Sequence, residues 1–227
     1  MDLLGMPIEL LILDVDGVIL DILAGLQRNL EATALRFGLP IDPIAKSIAH
    51  IAAGKMRIKG NARDSTRMLW PHLSESEICE FVRCFYEIER LSPYPLIEGS
   101  AEALSFFRKR GICLALATNN PAKVLGWRLA AAHIDPSWFC AIVTKDSPYC
   151  KPHPQTFDII FQHAGVARNR ACYVGDLQID WDTARDAGVT FIAVMTGGVP
   201  RHAFMAEGIP HTHIFDRLSD ILYHIED

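Results

Sequence analysis

Leu10-Leu11-Ile12-Leu13-Asp14-Val15-Asp16-Gly17-Val18 decides the reading of this chain, because an unbroken apolar run ends directly in two carboxylates. Four consecutive aliphatic residues predict a strand buried on both faces, the kind found inside a parallel sheet. Asp14 and Asp16 then stand where that strand ends. In an open α/β sheet ligands collect outside the carboxyl ends of the strands, so the pair marks a candidate active site. The two-residue spacing sends both side chains the same way while the backbone stays extended, and Gly17 lets the chain turn closely round a ligand. One carboxylate then suits a nucleophile or metal ligand and the other a proton donor. Loop capping is the alternative for an isolated Asp-x-Asp-Gly.

Further apolar runs predict strands at 112–117, 141–143, 171–174 and 191–195. Amphipathic helical stretches separate most of them, with Ala103, Leu104 and Phe107 on one face of 100–110 and Phe157, Ile160 and Phe161 on one face of 156–164. Strands alternating with helices predict an α/β fold: a doubly wound, mostly parallel, Rossmann-like sheet. The interval between the first two strands is too long for one crossover and reads as helical at 22–37, 61–70 and 75–91, the last opening on a capping box of Ser74 and Glu77. The predicted division is a core of residues 1–20 and 94–227 with an inserted α-helical domain, 21–93. Pro93, Pro95 and Gly99 mark a stiff return to the core.

Half of the 227 residues are hydrophobic, enough for a sizeable interior. A net charge of −5 offers no basic stripe for nucleic acid and no polybasic anchor for a membrane. The six cysteines form no Cys-x-x-Cys pair and several lie within apolar runs, so they read as reduced core residues. No secretion-signal pattern and no apolar segment of membrane-spanning length is visible, and a cytoplasmic location is the expectation. His202, His211 and His213 read as surface residues, since no fuller ligand pattern accompanies them.

Three distant segments complete the chemistry. Thr118-Asn119-Asn120-Pro121 closes the strand 112–117 and opens a helix, where free amides, the Thr118 hydroxyl and the Asn119 amide suit a phosphate oxygen or an ordinary cap. Lys151-Pro152-His153-Pro154 is a rigid loop that holds one ammonium in place, either for charge gathering on a transferring group or for solvent. Val174-Gly175-Asp176-Leu177-Gln178-Ile179-Asp180 repeats the pattern of strand followed by carboxylates: Asp176 completes an oxygen-rich magnesium site with Asp14, and Asp180 supports that site or caps the next helix.

Asp14/Asp16, Thr118, Lys151 and Asp176/Asp180, in this order, resemble the four signature motifs of the haloacid dehalogenase superfamily. The likeness extends to the phosphoglycolate phosphatase-like and beta-phosphoglucomutase-like members with a small helical cap. It covers essentially the whole chain, including the insertion, the Pro-Tyr-Pro return at 93–95 and Thr196-Gly197-Gly198 after the fifth strand. The resemblance implies an Mg²⁺-dependent phosphatase acting on a small phosphorylated metabolite. Asp14 would form an aspartyl-phosphate, Asp16 would move the proton, and Mg²⁺ would be held by Asp14, Asp176 and the Asp16 backbone carbonyl. Gly17, Thr118, Asn119 and Lys151 would face the phosphoryl group.

Asp16 disfavours dehalogenases and phosphonate-cleaving relatives, which lack that carboxylate. A phosphomutase shares all four segments, but such mutases carry a histidine about a dozen residues past the nucleophile, where this chain has Leu26. Ile22 departs from the Ser or Thr frequent after the aspartate at the cap hinge. A non-catalytic binding relative is the competing class, and it predicts a missing catalytic residue. The basic segment Gly54-Lys55-Met56-Arg57-Ile58-Lys59-Gly60, with Arg63 and Arg67, is either a substrate contact through Lys55, Arg57 and Arg63 or a solvated helix edge.

Overall fold

The computed structural model describes residues 1–57 and 61–226. Two short strands, β1 (Asp2–Leu3) and β2 (Met6–Pro7), precede β3 (Leu10–Leu13), and β4 (Cys113–Ala117), β5 (Phe139–Val143), β6 (Ala171–Gly175), β7 (Thr190–Val194) and β8 (Ile214–Phe215) follow. Strands β3 to β8 form one six-stranded sheet in the order β5-β4-β3-β6-β7-β8, every neighbouring pair parallel. A last strand, β9 (Ile225–Glu226), joins β1 and β2 in a small antiparallel sheet. The strands expected from the sequence are present. Strand β8 and the small sheet are additions, each of two-residue strands too short to show a period.

The sheet is buried on both faces, and the alternation of strand side chains accounts for it. Leu11, Leu13, Leu114, Leu116, Cys172, Val174, Ile192 and Val194 point to one apolar layer. Their neighbours Leu10, Ile12, Ala115, Ala117, Ala171, Tyr173, Phe191 and Ala193 point to the other.

Helices α1 (Leu23–Arg36), α2 (Asp42–Ala52), α3 (Ala62–Leu69) and α4 (Glu75–Leu91) lie between β3 and β4. After them α5 (Ser100–Lys109) and α6 (Ala122–Ala131) cover the first layer, while α7 (Asp158–Ala164), α8 (Gln178–Ala187) and α9 (Arg201–Ala206) cover the second.

Helices α1 to α4 have an apolar core of their own, formed by Leu30, Ala34, Ile44, Trp70, Phe81 and Phe85. Phe81 packs between Phe37 and Trp70, with ring centroids 5.3 and 4.9 Å away. The Ser74–Glu77 capping box forms as the sequence predicts: Ser74 Oγ accepts the Glu77 amide and the Glu77 carboxylate accepts the Ser74 amide. The two connections to the sheet pair with each other, since Asp21 N donates to Pro95 O (2.9 Å), Ile97 N donates to Ile19 O (2.9 Å) and Leu20 bridges Leu96. No helix among the described residues is long and apolar enough to cross a membrane.

The strand order places the site. From central β3 the chain builds outward to β4 and β5 on one side, then crosses to β6 on the other. Connections therefore diverge at the carboxyl end of β3, where an open sheet leaves a crevice. Asp14 follows that strand directly.

Candidate active site

Asp14, Thr118, Lys151 and Asp176 leave the sheet by four different loops, after β3, β4, β5 and β6, and meet at one edge. With Asp16 and Asn119 they line a cavity of about 130 Å³. Asp14 is buried; its Oδ1 accepts the Val15 amide (2.7 Å) and its Oδ2 lies 2.9 Å from Lys151 Nζ. The ammonium also donates to Asp180 Oδ1 (2.6 Å) and Tyr173 Oη (3.1 Å). The second Asp180 oxygen accepts the backbone amides of Asp176 (3.2 Å) and Leu177 (3.0 Å), so Asp180 ties the lysine to the loop that carries Asp176.

Burial dominates the electrostatics. It pushes the Asp14 carboxyl up to about 7; Lys151 pulls it down, while Asp180 and Asp16 push it further up. Burial, then Asp14 and Asp180, raises Asp176 well above the ordinary carboxylate range. For Lys151 burial acts downward, but Asp14 and Asp180 outweigh it and hold the ammonium above its usual value. The group as a whole is short of positive charge.

Asp14, Asp176 and Asp180 each present a carboxylate oxygen within 4.8 Å of the others, and Asp176 Oδ1 is buried with no hydrogen-bond partner among the described residues. A hard divalent cation takes oxygen ligands of this kind. Glycines frame the pocket: Gly17 has φ of 75°, and a Cβ at Gly17 or at Gly197 would collide with the Asp176 carboxylate. The residues present therefore fit Mg²⁺, with Asp176 and Asp14 as the carboxylates that would hold it and Asp180 already taken up by Lys151, Tyr173 and two backbone amides.

Asp16 sits beside this group in a different setting. Its Oδ2 accepts Asn120 Nδ2 (2.7 Å) and Arg128 Nη1 (2.5 Å), and its Oδ1 is buried with no partner. Asn120 also donates to the Thr118 hydroxyl from its side chain (3.0 Å) and backbone (3.2 Å). Arg128 is buried on α6 and grips Glu89 of α4 with two hydrogen bonds, of 2.6 and 2.9 Å. Its guanidinium lies 5.2 Å from the Tyr94 ring centroid, and Asn29 Nδ2 of α1 donates to Tyr94 Oη (3.3 Å). Burial lowers the pKa of Arg128, but Asp16 and Glu89 more than reverse this. For Glu89 burial raises the carboxyl, against the pull of Arg128.

The residues proposed from the four motifs thus come together. Those proposed from the basic segment do not join them. Lys55 is exposed; Arg57 reaches Asp182 of α8 (2.7 Å) and Glu207 (3.4 Å); Arg63 pairs with Glu75 (2.7 Å). None of the three lines the cavity. Ile58, Lys59 and Gly60 of that segment lie outside the described residues. From the helices above the sheet, the cavity takes instead Leu23, Leu26 and Leu30 of α1, Ala62 and Ser65 of α3, and Phe85 and Tyr86 of α4.

Sequence reasoning missed Arg128, Glu89, Tyr94 and Tyr173 as members of the site. A signal for two of them existed. Glu89 stands four residues beyond Phe85 on the buried stripe Ile78, Phe81, Phe85 of α4, and Arg128 stands four beyond Val124 on the buried face of α6. A charge on a buried stripe demands a buried partner.

A profile of haloacid dehalogenase-like hydrolases matches residues 8–188. A phosphoglycolate phosphatase of Pseudomonas putida is 26% identical over 194 residues, 83% of this chain and 70% of that protein. One from Mannheimia succiniciproducens is 26% identical over 216 residues, 92% of this chain and 94% of its own. Among solved structures, a haloacid dehalogenase-like hydrolase of Streptococcus pneumoniae superposes with a TM-score of 0.75 at 19% identity, covering 96% of this chain and 99% of its own. The match to the profile spans both connections of the helical insertion and all four motif loops, and the chain belongs to the haloacid dehalogenase-like hydrolase family.

Proposed function

We propose that this hydrolase cleaves the phosphate monoester of a small metabolite through an aspartyl-phosphate on Asp14, with Asp16 as the proton carrier. The observation that carries the reading is the second carboxylate. Asp16 lines the same cavity as Asp14, with Oδ2 held by Asn120 and Arg128 and Oδ1 left without a partner. A hydrolase that displaced halide would have no leaving oxygen to protonate.

In the first step an Asp14 carboxylate oxygen attacks phosphorus and the bond from phosphorus to the ester oxygen breaks, while Asp16 Oδ1 gives its proton to the departing oxygen. In the second, water attacks phosphorus and returns a proton to Asp16. Inorganic phosphate leaves and Asp14 is restored. Lys151 fixes the orientation of Asp14 and sets a positive charge beside the oxygens of the transferring group, joined there by Thr118 and the Asn119 amide. Mg²⁺, held by Asp14, Asp176 and the Asp16 backbone carbonyl, would neutralise further phosphoryl charge. Residues 21–93 act as a cap over residues 1–20 and 94–227 and keep water from the cavity. Leu26, at the place of the mutase histidine, favours hydrolysis over phosphoryl transfer to a second sugar.

The test is phosphate release from p-nitrophenyl phosphate. Turnover that requires Mg²⁺ and is lost in Asp14→Asn supports the reading. A folded, metal-loaded protein with no turnover on a broad panel of phosphate esters would instead support a binding role.

A further inference from the structure

The cavity lining has two chemical parts. Asp14, Lys151 and Asp176, with Thr118, form the charged part, and the other part is Leu26, Leu30 and Phe85 from the helices and Ile179 of α8, with the neutral polar side chains of Asn61, Ser65 and Tyr86 among them. Among the described residues only two cationic side chains reach it, Lys151 and Arg128, and both are already engaged by the protein's own carboxylates. Lys151 lies between Asp14 and Asp180. Arg128 would be the obvious reader of a second anionic group, yet Glu89 takes its Nε and Nη2 in a two-point grip and Asp16 takes its Nη1. Glu89 is fully buried and Arg128 is 6% exposed, so neither exchanges its partner for water at little cost.

A substrate carrying a carboxylate beyond its phosphate would place that charge among leucine, phenylalanine and a few neutral polar groups, with no unengaged cation among the described residues that line the cavity and Glu89 behind the nearest guanidinium. An uncharged apolar group would meet the same lining favourably. We propose that the alcohol released here is uncharged and has a compact apolar body, and is not a hydroxy acid. The inference rests on the phosphatase reading and narrows it to a substrate class. It separates this chain from the activity for which its curated relatives are named.

Isobutyl phosphate and phosphoglycolate form a matched pair, since both place a branched group of similar size one methylene from the ester oxygen and only one group is charged. Each is measured as a competitive inhibitor of p-nitrophenyl phosphate turnover by the full chain with Mg²⁺, and then as a substrate. Isobutyl phosphate is expected to bind at least about tenfold more tightly, the scale set by leaving a carboxylate without a partner in an apolar site. In Glu89→Gln, which frees one face of Arg128, the gap is expected to shrink severalfold. Equal or tighter binding of phosphoglycolate to the wild-type protein overturns the proposal, whether or not the variant folds. If p-nitrophenyl phosphate is not hydrolysed at all, the phosphatase reading is what fails. Calorimetric titration of the same two esters then still decides whether the cavity prefers the neutral group.

Discussion

Lys151 and Arg128 are both buried, both line one cavity and each touches an aspartate of the loop after β3, yet the protein surrounds them differently. Lys151 faces Asp14 and Asp180 with Asp176 close by, and one Asp176 oxygen has nothing to bond. Arg128 is closed off by Glu89 and Asp16, and its main partner comes from a helix of the insertion. A cluster left short of positive charge is suited to a cation and a phosphoryl group, as the proposed reaction requires. A cluster whose cation is matched from within ties α4 to α6 and orients Asp16. Burial alone therefore does not separate the two clusters, and the balance of charge around each cation does.

The sharpest way to break this contrast is Asp14→Asn. It should lower phosphate release by about 10⁴-fold, the scale for removing a nucleophile, in a single-turnover assay with a chromogenic ester. The same change should raise the melting temperature of metal-free protein, because it removes a buried charge the fold pushes toward neutrality. An unchanged or lower melting temperature would mean that Lys151 needs Asp14 more than burial opposes it.

Next in size is the arginine cluster. Arg128→Met leaves Glu89 buried without its cation and should cost about 3–5 kcal/mol in urea unfolding. Adding Glu89→Leu should recover most of that loss, since an apolar pair of similar volume replaces the ion pair. Activity should stay low in the double variant, because Asp16 has lost one of its two donors. Full recovery of activity with stability would reduce Arg128 to a brace.

Stability against pH comes third. The folded pKa of Asp14 is raised to about 7 from an ordinary 3.8, so the folded state binds this proton more tightly than the unfolded chain. Metal-free protein should therefore lose stability as pH rises from about 4 to about 7, by roughly 2–4 kcal/mol, with Asp176 acting in the same direction. Saturating Mg²⁺ should flatten the slope, and melting curves across that range would show it.

The smallest effect is expected at the exposed ion pairs between Arg57 and α8. Arg57→Ala removes exposed ion pairs to Asp182 and Glu207 and should change stability by less than about 1 kcal/mol by calorimetry. A larger loss would mean that this contact helps to seat the helices on the sheet.

The same contrast explains what the sequence disclosed. The lysine cluster was legible because its members follow the ends of strands, and a strand end is a local pattern: Leu10–Leu13 before Asp14, Ala171–Gly175 before Asp176 and Asp180. Helix α4 was legible from its cap and its stripe. Helix α2 was overlooked although Ile44, Ile48 and Ile51 recur at helical spacing behind Asp42-Pro43, a stripe of three residues in a short segment. Arg128 and Glu89 left a trace, a charge on each apolar stripe, but no local rule pairs residues on two helices separated by 39 positions. Tyr173 hid inside a strand as one more apolar residue, and only the fold brings its hydroxyl to Lys151 and Asp180.

Gly17 and Gly197 shape the site through atoms they lack. A methyl group at either position would occupy the space of the Asp176 carboxylate while leaving every charge and every hydrogen-bonding side chain unchanged. The damage from such a substitution would be invisible to any accounting of polarity. Three strands, β3, β6 and β7, end close enough together that the Asp176 carboxylate just fits between their loops. The proposed cation site is thus specified as much by reserved volume as by the oxygens that surround it.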